Sequence, residues 1–148
     1  MNIYLAAPYA ARDDLRAGVV PALRKAGHEI TSNWVFAEHK IHRGVLDAAP
    51  EQTDDYTTRQ VQLDLGDIDR SQIVLLFTSG FVMQHYGLLK AQTVSGGRHI
   101  ETGYALALGK RIIILGQPEN IFHRQLEQVD LFNAVLPLLD AEDYSKPI

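Results

Sequence analysis

The 148-residue chain contains no cysteine. That absence removes disulfide scaffolds, Cys-ligated zinc or iron–sulfur sites and thiolate nucleophiles together. It fits a reducing compartment, and a cytoplasmic protein is expected. A basic excess is also missing, because 14 Lys and Arg stand against 18 Asp and Glu, a formal net charge of -4. The footprint of a nucleic-acid binder is therefore absent, and a small-molecule partner is the better expectation. No apolar run approaches the ~18 residues of a membrane span, and the opening Met1 to Pro8 lacks the basic leader of a secretory signal. A soluble protein without a membrane partner is expected. The turn from Ala6 to Arg12 has no glycine, which excludes a G-x-G-x-x-G loop there, and Gly109-Lys110 is followed by Arg111 at a helix end, which excludes a Walker loop. NAD and ATP chemistry are thus disfavoured and no cofactor is expected. Histidines at 28, 39, 42, 85, 99 and 123 are scattered without an H-E-x-x-H pattern, so no metal site is expected either.

What is present is a chain 46% hydrophobic, long enough to bury one substantial core, and residues 1–148 read as a single domain. Residues 2–7 predict a short buried strand. Leu15, Val19, Val20, Leu23 and Ala26 then follow helical spacing up to a stop at Gly27. Residues 28–34 predict a second strand, and 35–53 a long loop or partly helical excursion. A helix over 54–70 would turn Tyr56, Val61, Leu65 and Ile68 to the core. Residues 72–77 predict a strand buried on both faces. Residues 78–97 read as irregular, 98–108 as a helix with Ile100, Tyr104 and Leu108 stacked, 111–115 as a strand, and 129–139 as a closing helix bent at Pro137. Alternating strands and helices predict an α/β fold, a parallel sheet with helices on both faces and ligands beyond the carboxyl ends of its strands.

The segment Ser95-Gly96-Gly97-Arg98-His99-Ile100-Glu101-Thr102-Gly103-Tyr104-Ala105 carries the most chemistry. Two glycines admit a ligand to the backbone, and the helix after them points free N–H groups at it. Glu101 falls in the expected first turn, where the dipole adds less than about one pH unit and a glutamate near its usual ~4.3 stays ionised at pH 7, a ready anionic nucleophile. The alternative is a glutamate that merely decorates a helix start. Asp64, Asp67 and Asp69 form a second cluster. Asp64 borders the apolar stripe, whereas Asp67 and Asp69 fall to the wet face. Two carboxylates in unlike environments can serve as nucleophile and proton donor.

Ile3-Tyr4-Leu5-Ala6-Ala7-Pro8, the passage Asp64 to Val74, and above all Gly97 to Arg111 resemble the nucleoside 2-deoxyribosyltransferase family. The resemblance implies a flavodoxin-like (Rossmann-like) fold and cleavage of the N-glycosidic bond of 2'-deoxynucleosides with retention. It implies that Glu101 attacks C1', that the sugar passes to another nucleobase, that Tyr4 orients Glu101, and that Asp64 protonates the departing base. Ala6, Pro8, Tyr9 and Gly97 would line the substrate. Where these transferases carry an aspartate six residues before the nucleophile, this chain has Ser95. That is similar to the related 2'-deoxynucleoside 5'-phosphate N-hydrolases, and with Arg98 it suggests a 5'-phosphate site. Two alternatives therefore stand beside the transferase: a 5'-monophosphate N-glycosidase and a non-catalytic nucleotide-binding module. The family completes its pocket from a neighbouring subunit, which implies a homo-oligomer, a dimer or larger, with shared active sites. Asn120 or His123 would be the contributed residue.

Overall fold

Five consecutive apolar residues, Ile73 to Phe77, shed water on both sides only in the middle of a covered sheet, and that is where they lie, each fully buried. The computed structural model describes residues 1–37, 40–42, 45–47, 54–94 and 96–140. Its strands are β1 (Asn2–Ala6), β2 (Glu29–Ile30), β3 (Lys40–His42), β4 (Val45–Asp47), β5 (Ile73–Phe77), β6 (Arg111–Leu115) and β7 (Glu127–Val129). β3 and β4 form a small antiparallel hairpin. The other five make one parallel sheet in the order β2-β1-β5-β6-β7. Counted among themselves these strands run 2-1-3-4-5, the flavodoxin-like order, so the chain reverses its direction of growth between β1 and β5. The parallel α/β sheet expected from the sequence is the observed one. Among the described residues no helix is long and apolar enough to cross a membrane.

Helical structure after β1 comprises a 3-10 turn (Tyr9–Ala11), α1 (Arg12–Asp14), a π-helical stretch (Leu15–Val19) and α2 (Val20–Lys25). Pro21 has no N–H for the i→i−4 ladder, which accounts for the widened register just before it. The passage buries Leu15, Val19, Val20 and Leu23 as their spacing predicts, while Ala26 stays exposed. α3 (Asp54–Asp69) and α5 (Gly97–Ala107) pack against each other, and α5 also lies on β1, β5 and β6.

The structure differs from the sequence reading in several elements. β2 has two residues and gives way to a 3-10 turn at Asn33–Val35. The segment read as irregular contains α4 (Ser79–Tyr86), opened by the Thr78 hydroxyl accepting from the Phe81 N–H and closed by left-handed Gly87. β7 replaces the start of the expected closing helix, which shrinks to α6 (Val135–Asp140); Pro137 sits in its first turn, where no N–H is required. At the end of β6, Gly116 has φ +101, and a Cβ there would stand 2.2 Å from the Thr78 hydroxyl. This close crossing of the β5 and β6 ends is possible only for glycine.

Candidate active site

β1 places Tyr4 in mid-strand, fully buried, with its side chain turned to α5. Its hydroxyl donates to Glu101 Oε2. Burial first, and then the charges of Glu101, Asp64 and Asp67, hold the phenol well above its ordinary 10.0, so Tyr4 remains a donor. The Tyr4 bond leaves Oε1 as the second oxygen of Glu101. A Cβ built on Gly97 would stand 3.9 Å from it, and one on Gly96 would meet nothing within 4 Å. Neither glycine has a positive φ, so their use is space in front of the carboxyl rather than an unusual turn.

Glu101 is not in the first turn of its helix. α5 begins at Gly97, and its first turn carries no acidic residue. The dipole, worth roughly 0.3 to 1 kcal/mol in the first turn, fades beyond it. Burial therefore dominates and pushes Glu101 up to about 8; the Tyr4 hydrogen bond pulls it down, and Asp64 and Asp67 push it further up. The expected resting anion is overturned, because the free protein holds this carboxyl protonated at neutral pH. Asp64, half-buried on α3, is raised to about 7 by burial and then by Asp67. Tyr4, Glu101 and Asp64 thus converge from β1, α5 and α3 on one face of the sheet.

The apolar stripes of both helices are other than the spacing suggests. Val61 is 52% exposed and Ile100 74% exposed, while the inward faces carry Asp67 on α3 and Arg98, Thr102 and Ala105 on α5. Asp67, expected on the wet face, is 0% exposed and accepts from the Asn33 backbone N–H at 2.8 Å, from Asn33 Nδ2 at 3.1 Å and from Arg70. A hydrophobic period has no means of finding it, since a charge on the inward stripe reads as a break in the stripe.

Arg98 is not open to a ligand anion in the way the sequence suggests. Only 4% exposed, it donates to Glu119 Oε2 at 2.7 Å, to the Ser79 hydroxyl at 2.7 Å and to the Thr93 carbonyl at 2.9 Å. Glu119 also accepts from the Ser79 N–H. The segments after β5, before α5 and after β6 are thereby tied into one rim at the carboxyl end of the sheet. Burial pushes Glu119 up, but the Arg98 hydrogen bond and charge win and leave it below its ordinary range. His123 is also buried, its Nδ1 accepting from the Glu119 N–H and its ring against His99, so it has no surface to offer a neighbouring subunit. Burial lowers both histidines from their ordinary 6.5, so they remain neutral at pH 7. Asn120 is exposed, its Oδ1 accepting from the His123 N–H. Ala6 and Pro8 are buried, and half-buried Tyr9 carries the Arg12 guanidinium over its ring at 4.7 Å. Ser95 lies outside the described residues.

Two solved structures superpose on nearly the whole chain. A 2-deoxyribosyltransferase from the psychrotolerant bacterium Bacillus psychrosaccharolyticus does so with a TM-score of 0.63 at 18% identity, over 98% of this chain and 94% of that one. The CMP N-glycosidase of Clostridium botulinum does so with a TM-score of 0.52 at 21% identity, over 96% of this chain and 100% of that one. The chain has the fold of a 2-deoxyribosyltransferase. At these identities the likeness is one of fold, and it matches the resemblance carried by the motifs. No protein-family model matches the chain, and no curated protein matches it by sequence. On this deoxyribosyltransferase-like fold, Tyr4, Glu101 and Asp64 lie beside β1 and β5, where the chain reverses direction and such sheets take their ligands.

Proposed function

We propose that the protein cleaves the N-glycosidic bond of 2'-deoxynucleosides and transfers the sugar to a second nucleobase, with Glu101 as nucleophile. The observation that carries this reading is the Tyr4 hydrogen bond to Glu101 beside an Asp64 raised to about 7. Glu101 as carboxylate attacks C1' and forms a glycosyl ester; the C1'–N bond breaks, its electron pair goes to the base, and the Asp64 proton follows. A second base then attacks C1' from the opposite side, the ester bond breaks back to Glu101, and the N–H proton of the new base returns to Asp64. Two inversions give net retention. The competent form carries one proton on the pair, and for attack it must sit on Asp64 with Glu101 ionised, the less populated arrangement in the free protein; the Tyr4 bond lowers the cost of reaching it by stabilising the Glu101 carboxylate. Tyr9 and Gly97 border the substrate in this reading, buried Ala6 and Pro8 back them from behind, and Asn120, being exposed, is the residue offered to a neighbouring copy in a homo-oligomer.

Incubation with a deoxynucleoside and a second free base yields the exchanged nucleoside; base release without exchange removes the transferase assignment. The kcat/KM profile is bell-shaped with apparent values near 7 and 8, which belong to the pair rather than to either residue. A second reading, hydrolysis of a 2'-deoxynucleoside 5'-monophosphate, is motivated by Ser95 standing where the transferases carry an aspartate. The rim around Arg98 works against it, since Glu119 answers that charge and both histidines are neutral. The same assay with and without a 5'-phosphate separates the two.

A further inference from the structure

Among the described residues Asp67 is the one carboxylate with no solvent exposure, and it lies one helical turn beyond Asp64 on the same side of α3. Its oxygens receive three donors from two places in the chain: two from Asn33, in the turn after β2, and one from Arg70, the residue that follows α3. Three N–H donors leave its oxygens in the acceptor role that suits a carboxylate. Burying such a charge is costly, and nothing in the packing demands it, since α3 already fills this face with Ile68 and Leu65. The Asn33 clamp also reaches the catalytic strand. Within the same turn the Ser32 hydroxyl accepts from the Leu5 N–H at 3.0 Å, and the Trp34 indole N–H donates to the Leu5 carbonyl at 2.8 Å. Leu5 is the residue after Tyr4. Asp67 therefore ties α3, which carries Asp64, to the strand that carries Tyr4.

The charged and titratable groups around Asp67 are Asp64 on its own helix, Arg70 just past the end of that helix, Tyr4 from β1 and Glu101 from α5. Arg70 is 59% exposed, so water screens it, whereas the Asp67 charge is enclosed with the acid pair. We propose that Asp67 is a positioning residue for Asp64 and Glu101, a fixed buried negative charge that keeps the transferable proton on the pair while its clamp holds their two elements in register. The role assigned to that proton rests on the reading of the protein as an N-glycosidic bond enzyme; the electrostatic coupling itself does not.

The test is a carbon-13 NMR titration of the side-chain carboxyls in the free protein, for wild type, Asp67→Asn and Arg70→Gln. Removing the buried charge lowers the titration midpoints of both Asp64 and Glu101, by roughly one pH unit for a charge this close. Removing the screening guanidinium while Asp67 remains raises both by a smaller amount. Opposite directions from two neighbouring substitutions are the signature of charge, which a purely structural clamp does not produce. Unmoved midpoints in Asp67→Asn, or movement of both variants in one direction, overturn the proposal. If Asp67→Asn does not fold, the upward movement in Arg70→Gln decides alone, and its absence overturns the proposal. Because no substrate is present, a protein that titrates in this way yet exchanges no base sinks the proposed activity and leaves the coupling standing. Where activity is present, both limbs of the kcat/KM profile shift to lower pH in Asp67→Asn and to higher pH in Arg70→Gln.

Discussion

Arg98 and Glu101 stand one helical turn apart on α5, and the charged ends of both are withdrawn from water, yet their surroundings are opposite. Arg98 closes on Glu119 and fills its remaining donors with the Ser79 hydroxyl and the Thr93 carbonyl. Glu101 has a phenol for a donor and two further carboxylates, Asp64 and Asp67, near enough to raise it. The first cluster compensates its charge and joins three segments of the rim; the second crowds three acids together with one exposed guanidinium, that of Arg70, and raises two of them instead. Crowded buried acids with raised values cost stability, and such perturbed groups gather at functional sites, so the contrast marks the Glu101 cluster as the candidate for chemistry and the Arg98 cluster as architecture.

The strongest attempt to break that contrast is Glu101→Gln. The amide fits the same space and still accepts from Tyr4, so the fold stands while exchange activity falls by at least about 10⁴-fold, the scale of losing a nucleophile. Activity above about one hundredth of wild type would remove Glu101 from the reacting centre. Arg98→Met tests the other cluster. It removes the hydrogen bonds that join the rim and leaves Glu119, which water can still reach, without its partner, lowering unfolding free energy by about 1 to 3 kcal/mol in urea titration. If instead stability holds and substrate KM alone rises, Arg98 belongs to the ligand site after all. A smaller effect follows from Tyr4→Phe, which removes one hydrogen bond to a charged group. That costs roughly ten- to a hundredfold in kcat and less in KM, read from steady-state kinetics of base exchange.

How far such contrasts are legible in the sequence depends on which physical quantity carries them. β1, β5 and β6 are legible because consecutive apolar residues leave no other placement, and Leu15, Val19, Val20 and Leu23 because their spacing meets a single core. α4 escapes such a reading, although Thr78 and Gly87 mark its ends, because it buries little beyond Phe81 and Val82. β7 escapes because an edge strand of Glu127–Val129 shows no apolar alternation. Glu101, Tyr4 and Asp64 are legible as a motif. Their protonation is not, because burial is a property of the assembled fold and here outweighs the helix dipole. Asp67 and Arg98 were hidden for one shared reason: each sits among core residues, Asp67 beside Leu65 and Ile68 and Arg98 on the face of Ala105, while Val61 and Ile100 of the expected stripes turn outward.

The last expected effect lies in the pH dependence of stability, where the two clusters have opposite signs. Glu101 is raised from 4.5 to about 8 and Asp64 from 3.8 to about 7, so the folded state holds their protons more tightly than the unfolded chain. Their contribution is complete below the ordinary values and is lost as pH rises through 7 and 8. Glu119 is lowered, so its contribution is complete above its ordinary 4.5 and is lost as pH falls through the depressed value. Urea midpoints of the wild type should therefore decline between about pH 5 and pH 9 on account of the acid site, and again at strongly acid pH on account of the rim. Glu101→Gln flattens the first decline and leaves the second, so its gain over wild type is larger at the alkaline end. Arg98→Met does the reverse, flattening the acid limb and preserving the alkaline decline. A wild type whose midpoint is level from pH 5 to 9, or a Glu101→Gln variant that declines as steeply, would mean that the acid site is as well compensated as the rim, and the division between the two clusters would fail.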